Sequence, residues 1–185
     1  MKNILVILFV LISITGFSQK PTHKININKI NIELIEKLIL EEINNYRVNY
    51  SYLEKIPNTS NHYKKIKDPK QKLISSIYPI NSSRLHSQKM VDLDSGLFHD
   101  QKDGRNYNEN CTIASIGIST EKTYIILSKE IFEQWKDSPL HNINLLETAI
   151  KYGEVGVAKK YVSDISFGKT YYGYDFFITF RGYVN

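Results

Sequence analysis

Two imidazoles and one carboxylate carry the chemistry this chain could perform. His99, Glu109 and His141 each stand inside a distinctive phrase: Gly96-Leu97-Phe98-His99, Asn108-Glu109-Asn110, and Trp135-Lys136-Asp137-Ser138-Pro139-Leu140-His141-Asn142-Ile143-Asn144-Leu145-Leu146. Neutral imidazole nitrogens are good zinc ligands, and a nearby carboxylate either joins the metal or accepts a hydrogen bond from a ligating histidine. With open coordination positions, such an ion binds water and lowers its proton affinity, the basis of hydrolytic chemistry. The plainer alternative is that the three groups hydrogen-bond one another across a polar cavity and tie loops together. Their separations fit neither a helical nor a strand repeat, so only the tertiary fold can gather them.

Other candidates carry less. Cys111 follows Glu109-Asn110 directly and invites a nucleophile with His99 as its base, which requires an exposed thiol of depressed pKa. Burial is the better expectation for a lone thiol in an exported chain. His86 lies in a helical stretch and reads as a packed or partly exposed histidine. Trp135 reads as the core anchor of its helix. His23 and His62 lie in polar loops, and Tyr171, Tyr172, Tyr174 and Tyr183 are most simply strand aromatics.

The elements that must position these residues follow from periodicity. Ile32, Ile35, Leu38, Ile39, Ile43 and Tyr46 recur at three- and four-residue steps, with Asn31 as N-cap, predicting a helix to about Arg47. Residues 49–80 hold prolines and many lysines without sustained periodicity, predicting a long loop with one short helix around Gln71–Ile77. A second helix is expected from Ser82 or Ser83, with Gly96 as its stop. Lys122–Leu127 is β-prone or an irregular insertion, and Ser128 is expected to cap a short helix carrying Ile131, Phe132 and Trp135 that Pro139 ends. The C-terminal third predicts a hairpin of Glu154–Val162 and Thr170–Tyr183 with a turn at Ser163–Gly168. In its last strand Tyr172, Tyr174, Phe176, Ile178 and Phe180 alternate with Gly173, Asp175, Phe177, Thr179 and Arg181. Phe177 on the second face predicts helices on both sides of the sheet.

The N-terminus bounds the compartment. Lys2 precedes the run Ile4–Ile14, apolar except for Ser13, and Thr15-Gly16-Phe17-Ser18 is small and polar, the layout of a cleaved signal peptide. The run is well short of the ~20 residues that span a bilayer, so no membrane span is expected after cleavage. Residues 1–18 are therefore read as signal peptide, 19–30 as a lead-in and 31–185 as one domain, secreted or periplasmic. Removing the signal leaves 167 residues, enough to bury roughly 70% of the unfolded chain's surface. One cysteine excludes an intramolecular disulfide. Signal cleavage takes the formal charge from +5 to +4, too little for a nucleic-acid binder. The Asn/Ile/Lys-rich usage suggests a bacterial source.

In order along the chain, these phrases resemble the CAP superfamily, also called the SCP domain. Asn44-Asn45-Tyr46-Arg47 is similar to the end of that family's first helix, and Leu85-His86-Ser87-Gln88-Lys89-Met90 to its second. Gly96-Leu97-Phe98-His99, Glu109-Asn110 and Trp135 through Leu146 resemble its glycine–aromatic–histidine, glutamate–asparagine and tryptophan–serine–histidine–asparagine segments. Glu154-Val155-Gly156-Val157 and the aromatic last strand resemble its closing hairpin. The resemblance spans Ile32 to Tyr183.

It implies an α+β fold, a three-layer α–β–α sandwich around a small antiparallel sheet, with the lysine-rich 49–80 stretch as an insertion. It also implies a cavity with two histidines and two acidic residues that can hold zinc. His99 and His141 are carried over as metal ligands and Glu109 as a cavity residue. The fourth position falls on Ser138, beside Asp137, where the family's eukaryotic members have a glutamate. No catalytic residue is assigned. The expected role is binding a small hydrophobic molecule, a peptide or a surface partner. The rivals are a metal-dependent hydrolase of peptide or cell-envelope substrates, and an interaction module with vestigial cavity residues.

Overall fold

The protein is described by a computed structural model, which covers residues 24–57, 61–75, 82–100, 107–118, 121–166 and 169–184. The expected signal peptide lies outside these residues. Helix α1 (Ile32–Val48) begins where the sequence places it, with Asn31 Oδ1 accepting from Leu34 N–H at 3.0 Å. Its buried stripe is Ile35, Leu38, Ile39, Ile43 and Arg47. Helix α2 (Ser82–Leu93) ends as expected before Gly96, whose φ of +74° turns the chain back; Asp94 is also left-handed, at +48°.

Between them the expectation of a long loop is corrected. Strands β1 (Ser51–Lys55) and β2 (Tyr63–Lys67) form an antiparallel hairpin, and β3 (Ile74–Ser75) pairs parallel with β5 (Tyr152–Ser166). The short helix expected around Gln71–Ile77 does not form over its described residues, Gln71–Ser75. Asn44 explains why: its side-chain oxygen accepts from Leu73 N–H at 2.7 Å and its amide donates to Leu73 O at 3.1 Å. Both Leu73 backbone groups are thereby engaged by a side chain, while Leu73 itself is buried in the core.

The stretch expected as β-prone, Lys122–Leu127, is corrected as well. Thr123, not Ser128, caps α3 (Tyr124–Asp137), accepting from Ile126 N–H at 3.2 Å. The stripe Tyr124, Leu127, Ser128, Ile131, Phe132 and Trp135 is buried along the whole helix, so tertiary burial overrides the β-branched composition. Pro139 does not merely stop it. It starts a fourth helix, α4 (Pro139–Leu146), at a position where its missing N–H costs nothing.

Strands β5 and β6 (Lys169–Tyr183) pair from Tyr152↔Tyr183 out to Ser166↔Lys169, so the hairpin is longer than expected and the Ser163–Gly168 turn shrinks. With β4 (Tyr107–Gly117) they complete a sheet of order β3-β5-β6-β4, antiparallel except at β3. Alternation assigns its two faces. Ala114, Ile116, Val155, Val157, Phe176, Ile178 and Phe180 pack under α1, α3 and α4 around the fully buried Trp135. Cys111 and Phe177 pack on the other face against Met90 of α2. The result is the α+β, three-layer α–β–α arrangement.

Helix α2 lies unusually close to the sheet. A Cβ on Gly156 would stand 1.9 Å from Arg84 N, so only glycine lets the helix backbone touch β5.

Candidate functional site

The site grows from strand register. Glu109 of β4 is paired with Arg181 of β6, as Cys111 is with Thr179 and Tyr107 with Tyr183. All six therefore face α2. Arg181 Nε and Nη2 reach Glu109 Oε2 at 2.8 and 2.7 Å, and the guanidinium lies 4.5 Å over the Tyr107 ring. Burial alone would lower the Arg181 pKa. The hydrogen bond and charge of Glu109 outweigh it and hold the guanidinium above its ordinary value.

The second Glu109 oxygen is equally engaged. Oε1 accepts from His99 Nδ1 at 2.9 Å and from Asp100 N–H at 3.1 Å. Because a carboxylate oxygen accepts, His99 carries its proton on Nδ1 and presents the Nε2 lone pair, on a side chain 53% exposed. This carboxylate–imidazole arrangement is the one that orients and strengthens histidine ligands of metals.

His141 arrives from the other side. β4 is an edge strand, and α4 is fastened along it. Asn110 Nδ2 donates to His141 O at 3.0 Å, while Asn144 Nδ2 donates to Glu109 O at 3.1 Å and to Asn110 Oδ1 at 2.8 Å. The adjacent pair Glu109-Asn110 thus sends its carboxylate to one face and its amide to the other. His141 is half-buried, and burial pulls its pKa below the ordinary histidine value. The charge of a protonated His99 would push it further down. The structure therefore joins His99 to Glu109 through their side chains and fastens the His141 backbone to the adjacent Asn110, while the ligand atoms of His99, Glu109 and His141 do not form one cluster.

It does not bring the remaining sequence candidates there. Asp137, at the exposed end of α3, lines a shallow groove with Ile126, Lys129 and Glu133, and Ser138 joins α3 to α4. No hydrogen bond or ion pair among the described residues joins either to Glu109.

His86 is the residue whose place sequence reasoning undervalued. Its side chain is fully buried, with Nε2 donating to Phe98 O at 2.9 Å and lying 3.7 Å from Glu109 Oε1. Its Nδ1 has no hydrogen-bond partner among the described residues and lies 3.8 Å from Asp100 Oδ2. Among the described residues, His86, Glu109 and Cys111 form a group that could hold a metal ion, with one ligand atom from each within 4.8 Å of the others. A cation there would compete with the Arg181 guanidinium for Glu109. It would also have to displace a thiol proton, because burial and the Glu109 charge push Cys111 up to about 12. That value also removes the thiolate a nucleophilic Cys111 needs.

Arg181 itself was missed. The signal was present: it is the last charged residue on the face that carries Asp175, Phe177 and Thr179, two positions before the final strand ends. No protein-family model matches the chain, and no curated protein matches it.

Proposed function

We propose that this protein is an exported CAP/SCP-like domain that binds zinc through His99 Nε2 and His141 and uses that face to bind a small hydrophobic molecule, a peptide or a surface partner. The observation that carries this reading is the His99–Glu109 hydrogen bond of 2.9 Å, which leaves His99 Nε2 as a lone-pair donor toward solvent. The lowered His141 pKa keeps the second ring neutral, as a ligand must be. Three of the quoted phrases also support it: Asn44–Arg47 closes α1, Leu85–Met90 lies in α2 and Glu154–Val157 lies in the closing hairpin, the elements the resemblance assigns them.

Bound zinc would supply Lewis acidity and an ordered water. Among the described residues, the carboxylate at the site is already committed. Both Glu109 oxygens are taken by Arg181, His99 and the Asp100 backbone, so Glu109 is not free to take a proton from water. Its role is to hold His99. Binding is therefore favoured over catalysis.

Zinc titration of the chain without residues 1–18 tests the reading. Calorimetry and thermal melting should show one zinc bound with a raised Tm, and both effects should disappear in His99→Ala and in His141→Ala. A melting curve indifferent to zinc, or zinc binding retained in both variants, would overturn it.

A further inference from the structure

We propose that the β1–β2 hairpin is a docking surface for an anionic lipid bilayer. The pairing Ser51↔Lys67, Leu53↔Lys65 and Lys55↔Tyr63 puts these six residues on one face of a two-stranded ribbon. Tyr52, Glu54, Lys64 and Ile66 share the opposite face. Ile66 is half-buried, and the Tyr52 ring lies 6.3 Å from that of Tyr50, which in turn contacts Tyr46 of α1. The second face thus touches the body of the protein through the Tyr52–Tyr50 ring contact, whereas every side chain of the first, outward face beyond Ser51 is exposed.

That outward face is segregated in charge and polarity. It carries Lys55, Lys65 and Lys67, and the hairpin's one carboxylate, Glu54, stands on the other side. None of the three lysines forms an ion pair among the described residues. Between them Leu53 is 67% exposed and Tyr63 56% exposed. At the root, Lys65 and Lys67 line a cleft of about 200 Å³ with Val48, Asn49, Ser51 and Pro69, a mixed polar and apolar recess that places two ammonium groups where a phosphate headgroup could meet them.

Lysine on an exposed strand also blocks edge-to-edge pairing. That accounts for neither the outward leucine nor the removal of the carboxylate to the far face. A bilayer with anionic headgroups accounts for both. The lysines are drawn to the negative surface, tyrosine sits at headgroup depth, and leucine enters the acyl boundary. An isolated ribbon is marginally stable in water, so a surface that covers one face also stabilises it. This inference is independent of the His99–His141 site.

Vesicle co-sedimentation of the chain without residues 1–18 tests it, because the apolar run Ile4–Ile14 would bind lipid by itself. Phosphatidylglycerol vesicles should retain the protein at low salt and release it as salt rises, and phosphatidylcholine vesicles should not retain it. K55E/K65E/K67E should weaken retention by about a hundredfold or more, on the scale of lysine attraction to anionic membranes. Leu53→Ser, which leaves the charge intact and alters an exposed side chain, should weaken it several-fold. Lys129→Glu on α3 should leave it unchanged. Equal binding to both lipids, or indifference to the triple reversal, would overturn the proposal. So would heparin or DNA binding as tight as vesicle binding together with no effect of Leu53→Ser, which would mark a soluble-polyanion patch.

Discussion

Glu109 and Arg181 are cross-strand partners with side chains only 6% and 2% exposed, joined by contacts of 2.7 and 2.8 Å. The pair sits directly behind His99, so the electrostatics of the core and the orientation of the candidate ligand are one problem. Removing one charge from such a pair leaves the other buried and uncompensated. Glu109→Gln should therefore cost about 3 kcal/mol or more in urea denaturation. Zinc affinity should fall by about 10–100-fold with the loss of His99's carboxylate partner. Adding Arg181→Met should recover much of the stability but none of the affinity. A loss below about 1 kcal/mol would mean the pair is better solvated than its geometry says.

The two histidines should report on each other. In an NMR titration of the zinc-free protein, His141 should titrate below the ordinary value of 6.5, and His99→Ala should move its midpoint upward by removing the second of its two causes. Because the folded pKa is the lower one, the unfolded chain binds more protons as pH falls through 6.5. The His141 contribution to stability is then complete above that pH, is lost as pH falls below it, and levels off beneath the folded pKa. An unchanged His141 midpoint in His99→Ala would separate the rings and dismantle the site.

Cys111 should be chemically silent. With its pKa pushed up to about 12 by burial and by Glu109, the folded protein should resist iodoacetamide at pH 8 for hours and react promptly in urea. Native-state alkylation at the rate of a free thiol would show that the core under α2 opens readily.

Gly156→Ala should be among the most damaging small substitutions. The added methyl would meet the Arg84 and Ser83 backbone within about 2 Å, and a helix backbone cannot rotate away as a side chain can. We expect a loss of about 3 kcal/mol or more in thermal or urea melting. A near-neutral result would show that α2 is free to shift on β5.

The parts legible in sequence are those that a few neighbouring residues decide. The stripe from Ile35 to Ile43, the Asn31 cap and the alternation from Tyr172 to Phe180 are consequences of 3.6- and 2-residue periods, which each segment carries in itself. Where local signals compete, distant partners choose. Leu73 stays out of a helix because Asn44, twenty-nine residues away, holds both of its backbone groups. Ile125 and Ile126 are helical because Leu127, Ile131 and Trp135 gain a core by it.

The site divides in the same way. The sequence by itself determined which side chains could do chemistry, since His99, Glu109 and His141 stand out by type and phrase, and it determined that helices cover both faces of the sheet. Only the tertiary structure decided their roles. The β4–β6 register sets Arg181 against Glu109, α4 folds along the free edge of β4, and α2 carries His86 down beside them. Those neighbours are separated by up to 72 positions along the chain. No local period spans that distance; only pairing register and burial can bring them together.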